Sequence, residues 1–317
     1  MLFASQVTAT DLTYVMVQAA DLNALEVFMT DFGLHTVKKS STDLWMGAGN
    51  SSPYVYHAKL GNQTKFLGAG FKVNHRDDLE ALAKRFGEAN HIETIEEPGG
   101  GFRLRMIMPD GFLIDAVANQ TPSTASTQFD IQEPLNFLAT KGRVNRSVRI
   151  AAGAKPVRRL GHFVLHVSNH DESVKWLSER FGLIPSDYFG TTDEPPHIFG
   201  TFLRVDAGTK TVDHHCLLVL QSERVSSHHI SFEMTGLDDL MCAHDFLVEK
   251  GYQLDVGVGR HMLGSQIFDY WKDPSGFRVE HYTDGDVVNH DHRPEIFTGT
   301  ADETTQWGAR PDAKFFE

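Results

Sequence analysis

Cysteine is nearly absent from this chain: 317 residues carry only Cys216 and Cys242. Two thiols cannot build a disulfide framework, nor can they alone supply a zinc knuckle, so a reducing cytoplasm is the expected compartment. No apolar run reaches about 18 residues, and the N-terminal stretch has no basic segment leading into one. The expectation is a chain that is neither secreted nor membrane-spanning. Basic residues are in deficit, 29 against 42 acidic for a net charge of −13. No Lys/Arg run is long enough to track a phosphate backbone, so nucleic acid is not an expected partner. A Gly-x-Gly-x-x-Gly after a strand is also missing, and Pro98-Gly-Gly-Gly101 reads as a plain turn between strands. Neither nicotinamide nor flavin is therefore expected. What the chain has in quantity is histidine, 17 of them, so that spacing, not presence, must select the informative ones.

The length allows two domains of about 150 residues, and the chain repeats itself. The alternating run Leu12–Val17 is followed by Leu22, Leu25, Phe28, Met29 and Phe32 at helical spacing, closed by Gly33. This reads as a strand and an amphipathic helix with a glycine stop. The same grammar returns at Gly70–Val73 with a helix ending at Gly87, at Leu160–Val167 with one ending at Gly182, and at His229–Met234 with one ending at Gly251. Short β-prone runs follow each helix, such as Leu104–Met108, Phe202–Val205, Cys216–Leu220 and Gln266–Tyr270. Four units of strand, helix and two or three strands predict an α+β fold in two halves. The expected layout is 1–120, a polar linker over 121–157, a second half over 158–283 and an irregular tail over 284–317.

Comparison of the halves shows where chemistry could reside. His162 on the Leu160 strand faces Tyr14 across the duplication, His229 faces Gly68, and Glu280 faces Asp115 when Gly276 is aligned with Gly111. Only the second half offers two imidazoles and a carboxylate on three strands. Two His and one carboxylate suit a divalent metal with open positions, the facial arrangement of non-haem Fe(II) oxygenases. Strands make good mounts, because their side chains project at fixed directions from the sheet.

The segments Leu160-Gly-His162, Ser227-His-His229-Ile-Ser-Phe-Glu, Gly259-Arg-His261 and Phe268-Asp-Tyr270-Trp-Lys-Asp-Pro-Ser-Gly-Phe-Arg-Val-Glu280 resemble the type I extradiol catechol dioxygenases of the vicinal oxygen chelate superfamily. The resemblance spans both halves. It implies two βαβββ modules per domain, forming a partly open, barrel-like sheet around a cup, with a metal-free N-terminal pair. It further implies metal ligands His162, His229 and Glu280 holding Fe(II), or Mn(II). His261 and Tyr270 would be active-site residues, and either His214 or His215 the acid/base catalyst, with His214 slightly preferred on its spacing to His229. The implied activity, in aromatic catabolism, is cleavage of an aromatic diol by a homo-oligomeric enzyme. Both atoms of O2 would be inserted next to the diol to give a muconic semialdehyde-type product. The run Met262-Leu-Gly-Ser departs from the family, which often has an acidic residue near position 264.

Duller readings compete at each position. A histidine alone on a half-buried strand is more often a satisfied core residue than a ligand. Tyr270 among Phe268 and Trp271 could be a core aromatic, His166 packing, and His290–His292 a flexible tail in solvent. Cavity walls are expected from Val164 and from Tyr188, Phe189, Pro195, Pro196, His197, Phe199 and Phe202, a set whose aromatic rings favour a flat ligand. Two rival functions within the superfamily remain open: a metal-dependent lyase or isomerase of the glyoxalase kind, and a metal-free small-molecule binder.

Overall fold

Local signals in each half are followed by the backbone. Asp21 accepts hydrogen bonds from the N–H groups of Asn23 and Ala24, and Asn169 accepts from that of Glu172. Each thereby satisfies N–H groups that a helix start leaves unpaired. Gly87 and Gly182 end their helices at φ of 80° and 65°, left-handed values that favour a residue without Cβ.

The computed structural model describes residues 7–87, 92–124 and 135–316. The first half runs β1 (Asp11–Ala19), α1 (Leu22–Asp31), β2 (His35–Lys39), β3 (Asp43–Gly47), β4 (Tyr56–Leu60), β5 (Lys65–Lys72), α2 (Arg76–Phe86), β6 (Ile92–Thr94), β7 (Phe102–Ile107) and β8 (Leu113–Ala118). The second runs β9 (Arg159–Val167), α3 (His170–Phe181), β10 (Ile184–Gly190), β11 (Ile198–Arg204), β12 (Val212–Asp213), β13 (Leu217–Gln221) and β14 (Ser226–Glu233). It continues through α4 (Leu237–Glu249), β15 (Gln253–His261), β16 (Ile267–Lys272), β17 (Arg278–Thr283), β18 (Val287–Val288), β19 (Ile296–Phe297) and β20 (Thr305–Gly308). This is the mixed α+β architecture in two halves that the repeated units predict.

Two large sheets repeat one topology. The first is ordered β2-β3-β4-β1-β5-β8-β7-β6, and the second has β10-β11-β13-β9-β14-β17-β16-β15 in the corresponding places. Registers agree strand for strand. Tyr14 lies opposite Gly70 and His162 opposite Ser231, while Gly68 pairs with Met16 and His229 with Val164. Gly70 then pairs with Asp115, and Ser231 with Glu280.

Between the sheets, described residues 121–124 and 135–157 form neither helix nor strand; Pro134 lies outside the described residues. The end of this segment is anchored, since Val157 is buried and its N–H donates to the Gly33 carbonyl. The tail beyond Tyr282 wraps over the second half, as its scattered aromatics suggest, and only the His290–His292 cluster departs from the solvent-exposed setting expected of it. β19 adds in parallel to β10, β20 adds antiparallel to β15, and β18 pairs with β12. His290 is exposed, but His292 turns inward to meet the Ser186 carbonyl at 2.9 Å. Backbone groups of a polar segment need partners as much as those of an apolar one, and open sheet edges provide them.

The largest apolar cluster crosses both halves. Phe66 stacks on Phe163 with ring centroids 5.7 Å apart, Phe71 packs on Phe181 at 5.1 Å and Phe32 meets Phe232 edge-on at 5.7 Å. Each buried aromatic stabilises by roughly 2–3 kcal/mol, so the second sheet is held rigidly on the first.

Candidate metal centre

Three neighbouring strands of the second sheet converge on one point. His162 stands on β9, His229 on the adjacent β14, and Glu280 on β17 beyond it. Their spacing follows from the register, because Ser231 of β14 sits between His162 and Glu280. The His162 and His229 Nε2 atoms are 3.2 Å apart, and Glu280 Oε2 lies 3.2 Å from the first and 3.5 Å from the second. Donors about 2.1 Å from a common ion and 90–110° apart would be separated by roughly 3.0–3.4 Å.

Polar accounting at this point is incomplete in a particular way. Neither oxygen of the fully buried Glu280 has a hydrogen bond of good geometry among the described residues, and His162 Nδ1 also lacks a partner. Burial opposes ionisation of Glu280, yet the surrounding imidazoles of His162, His261 and His229 outweigh it. Its carboxyl is held well below the usual range. Burial pushes His229 well below the ordinary imidazole value, although Glu280 pulls the other way. A neutral imidazole and a desolvated carboxylate are the protonation states a divalent cation requires.

Around this cluster lies a cavity lined by Val164, Phe189, Phe202, His215, Leu218, His261, Met262, Leu263, Gln266, Tyr270, Phe297, Thr304 and Phe315, with His162 and His229 at its base. His261 Nε2 is 2.8 Å from the Tyr270 hydroxyl and 3.4 Å from Glu280 Oε1. Burial, then the Glu280 charge, pushes the Tyr270 phenol well above its ordinary value, so it stays a donor.

The adjacent histidines His214 and His215 separate. His215 faces the cavity with its ring centroid 4.2 Å from that of His162, and burial keeps it neutral. His214, preferred on spacing, points away: its Nε2 meets Asp187 Oδ2 at 2.8 Å and its Nδ1 meets His215 Nδ1 at 3.0 Å. With Nδ1 of His215 so engaged, Nε2 is the nitrogen left for the cavity. Asp187, His214 and His292 form a second group of ligand-type atoms, but hydrogen bonds from Glu295 N–H to Asp187 and between His292 and Ser186 already occupy it. His228 falls on the opposite face of β14 from His229, as alternation requires.

Of the expected cavity walls, Val164, Phe189 and Phe202 are in place. Phe199 lies at a neighbouring cavity, whereas Tyr188, Pro195, Pro196 and His197 line neither. Sequence reasoning missed Phe297, Thr304 and Phe315, which the tail delivers from 297 to 315. Scattered aromatics in a polar tail were the one available signal.

In the first half the equivalent position is closed. The Tyr14 hydroxyl donates to Asp115 Oδ2 at 2.8 Å, and Arg105 grips both Asp115 oxygens at 2.8 and 2.7 Å. Arg105 pairs with Asp115 as Tyr270 pairs with Glu280. A guanidinium thus supplies the positive charge that the second half leaves to be filled.

Residues 159–281 match the Glyoxalase/Bleomycin resistance protein/Dioxygenase superfamily, and this half of the chain is a domain of that superfamily. Over 295 residues the chain is 27% identical to metapyrocatechase 2 of Cupriavidus necator, covering 92% of this chain and 86% of that protein. Its fold is shared with a Mn(II)-bound glyoxalase from Novosphingobium aromaticivorans, at a TM-score of 0.78 and 23% identity over 98% of this chain and 94% of that one. It is also shared with homoprotocatechuate 2,3-dioxygenase from Brevibacterium fuscum in complex with 3,4-dihydroxyphenylacetate. There the TM-score is 0.77 and identity 16%, over 100% of this chain and 93% of the other.

Proposed function

We propose that this protein is an extradiol ring-cleaving dioxygenase whose metal is held by His162, His229 and Glu280. The observation that carries the reading is the convergence of these three donors beside two unbonded Glu280 oxygens. The aromatic lining above them, Phe189, Phe202, Phe297 and Phe315, favours a flat ring. Relatedness to a metapyrocatechase over most of the chain supports the same activity. The halves 1–120 and 158–283 act as metal-free and catalytic βαβββ pairs, joined by 121–157 and followed by a tail at 284–317 that closes the cavity. The scarcity of cysteine supports a cytoplasmic enzyme, and we take it to be a homo-oligomer.

Fe(II), or Mn(II) in the same ligand set, would supply Lewis acidity toward the diol oxygens and electron transfer to O2. The chain's own groups do the remaining work. Tyr270, kept protonated, donates to a substrate oxygen, and His261 orients that phenol through their 2.8 Å contact. His215, neutral and open at Nε2, takes a proton shed by the diol and returns it during O–O cleavage. Apolar walls exclude water and hold the ring in place.

Oxygen uptake by anaerobically Fe(II)-loaded protein against a panel of catechols tests this. Uptake with a yellow ring-opened product is expected, and His162→Ala protein should lose both bound metal and uptake. Tight metal binding without uptake on any diol would favour a lyase, and no metal binding at all would favour a small-molecule binder.

A further inference from the structure

A second cavity, of about 340 Å³, lies at the seam between the halves, on the face of β14 opposite the metal centre. The first half contributes Lys65, Phe66 and Asp110 to it, and the second half Arg224, Lys272 and Arg278. In a chain of net charge −13 this wall is cationic. Asp110 is turned aside, accepting hydrogen bonds from the Ser168 N–H and hydroxyl. Asp255, behind the wall, is shared between Arg278 Nε and Lys272 Nζ. Lys65 and Arg224 form no ion pair among the described residues, and both are exposed. Four cations against two carboxylates leave an excess of two positive charges.

The neighbouring groups agree with a positive potential. His166 lines the cavity with Nδ1 3.3 Å from the Ser226 hydroxyl, and its buried Nε2 has no partner among the described residues. Burial, with Arg278 and Arg224 adding to it, pushes this imidazole down to about 4. Arg278 spends Nε on Asp255 and shares Nη1 between the Phe315 carbonyl at 2.9 Å and His228 Nε2 at 2.8 Å, so it is held in the wall as a fixed charge. Hydroxyls of Ser226 and Ser227 add neutral donors, and Phe66 and Phe112 give an apolar floor. Guanidinium, ammonium and hydroxyl groups lining one concave site are the elements of oxyanion recognition.

We propose that this seam binds a small dianion, of the size and charge of a phosphate head group or a short dicarboxylate. The proposal does not rest on the diol-cleaving reaction and stands whether or not that activity is found.

Thermal melting and calorimetric titration of the metal-loaded, full-length protein test it, with inorganic phosphate in one arm and malonate in the other. Sodium chloride holds the ionic strength constant. A saturable rise in Tm is expected, and whichever anion saturates at the lower concentration identifies the source of the dianion. The double variant Lys65→Ala/Arg224→Ala should weaken binding at least tenfold, and Arg224→Glu should abolish it. Both positions are exposed, and unchanged metal content and melting in chloride alone verify the fold. No saturable response to either anion, or an equal response in the variants, would overturn the proposal.

Discussion

Asp115 and Glu280 occupy matching strand positions, are both fully buried, and are treated oppositely. Asp115 is neutralised by Arg105 and Tyr14, whereas the neighbours of Glu280 are imidazoles and the Tyr270 phenol, with no guanidinium paired to it among the described residues. Removing one partner of a buried pair strands the other charge, at a cost of roughly 3–5 kcal/mol. Arg105→Ala should therefore destabilise the protein by about 3 kcal/mol in urea unfolding while leaving bound metal unchanged. Among the histidines, His215→Ala should keep metal and lower kcat by about 10²–10⁴-fold, the usual scale of general acid–base catalysis. His214→Ala should cost less, because its contact with the cavity runs through His215. Equal effects in single-turnover kinetics would contradict that order.

At the level of elements, helix α4 is tied to β16 by titratable groups. His244 Nδ1 lies 2.8 Å from Asp269 Oδ2, and this hydrogen bond raises the imidazole above its ordinary 6.5. Protonation of His244 is thus easier folded than unfolded. Its contribution is full below about 6.5 and disappears as pH rises through the raised value. The stability difference between wild type and His244→Gln should accordingly shrink from pH 6 to pH 8, measured by chemical unfolding; a difference independent of pH would refute the coupling. Elements themselves were largely legible: the periodic runs before Gly33, Gly87 and Gly182 each end a helix where expected, and three candidate ligands from three distant segments meet through register. The strand that separates them could be anticipated because a duplicated sequence imposes a duplicated register. What periodicity could not reveal was β18, β19 and β20, which are only two, two and four residues long, too short to show an alternating pattern, and which gain their backbone partners from existing strands. For the same reason the roles of Phe297 and Phe315 were hidden. The choice between His214 and His215 was equally closed to spacing, since one residue reverses a strand-end side chain and Asp187, 27 positions earlier, decides which ring turns outward.

At the scale of the molecule, duplication has produced one rigid body with two unequal cups. Phe66, Phe71 and Phe32 of the first half pack directly on Phe163, Phe181 and Phe232 of the second, so the closed cup buttresses the sheet that carries the open one. The tail completes the enclosure by adding strands to both ends of the second sheet. This arrangement brings three donor atoms within 3.5 Å of one another beside a cavity walled by aromatic rings. Its central consequence is a reaction in which both oxygen atoms come from O2 and no external reductant is consumed. Mass spectrometry of the ring-opened product formed under ¹⁸O₂ by the Fe(II)-loaded protein tests this most directly. The account predicts a gain of about 4 mass units, for two labelled atoms, with the ring opened beside the diol. Incorporation of a single labelled atom, or cleavage between the two hydroxyl-bearing carbons, would contradict it.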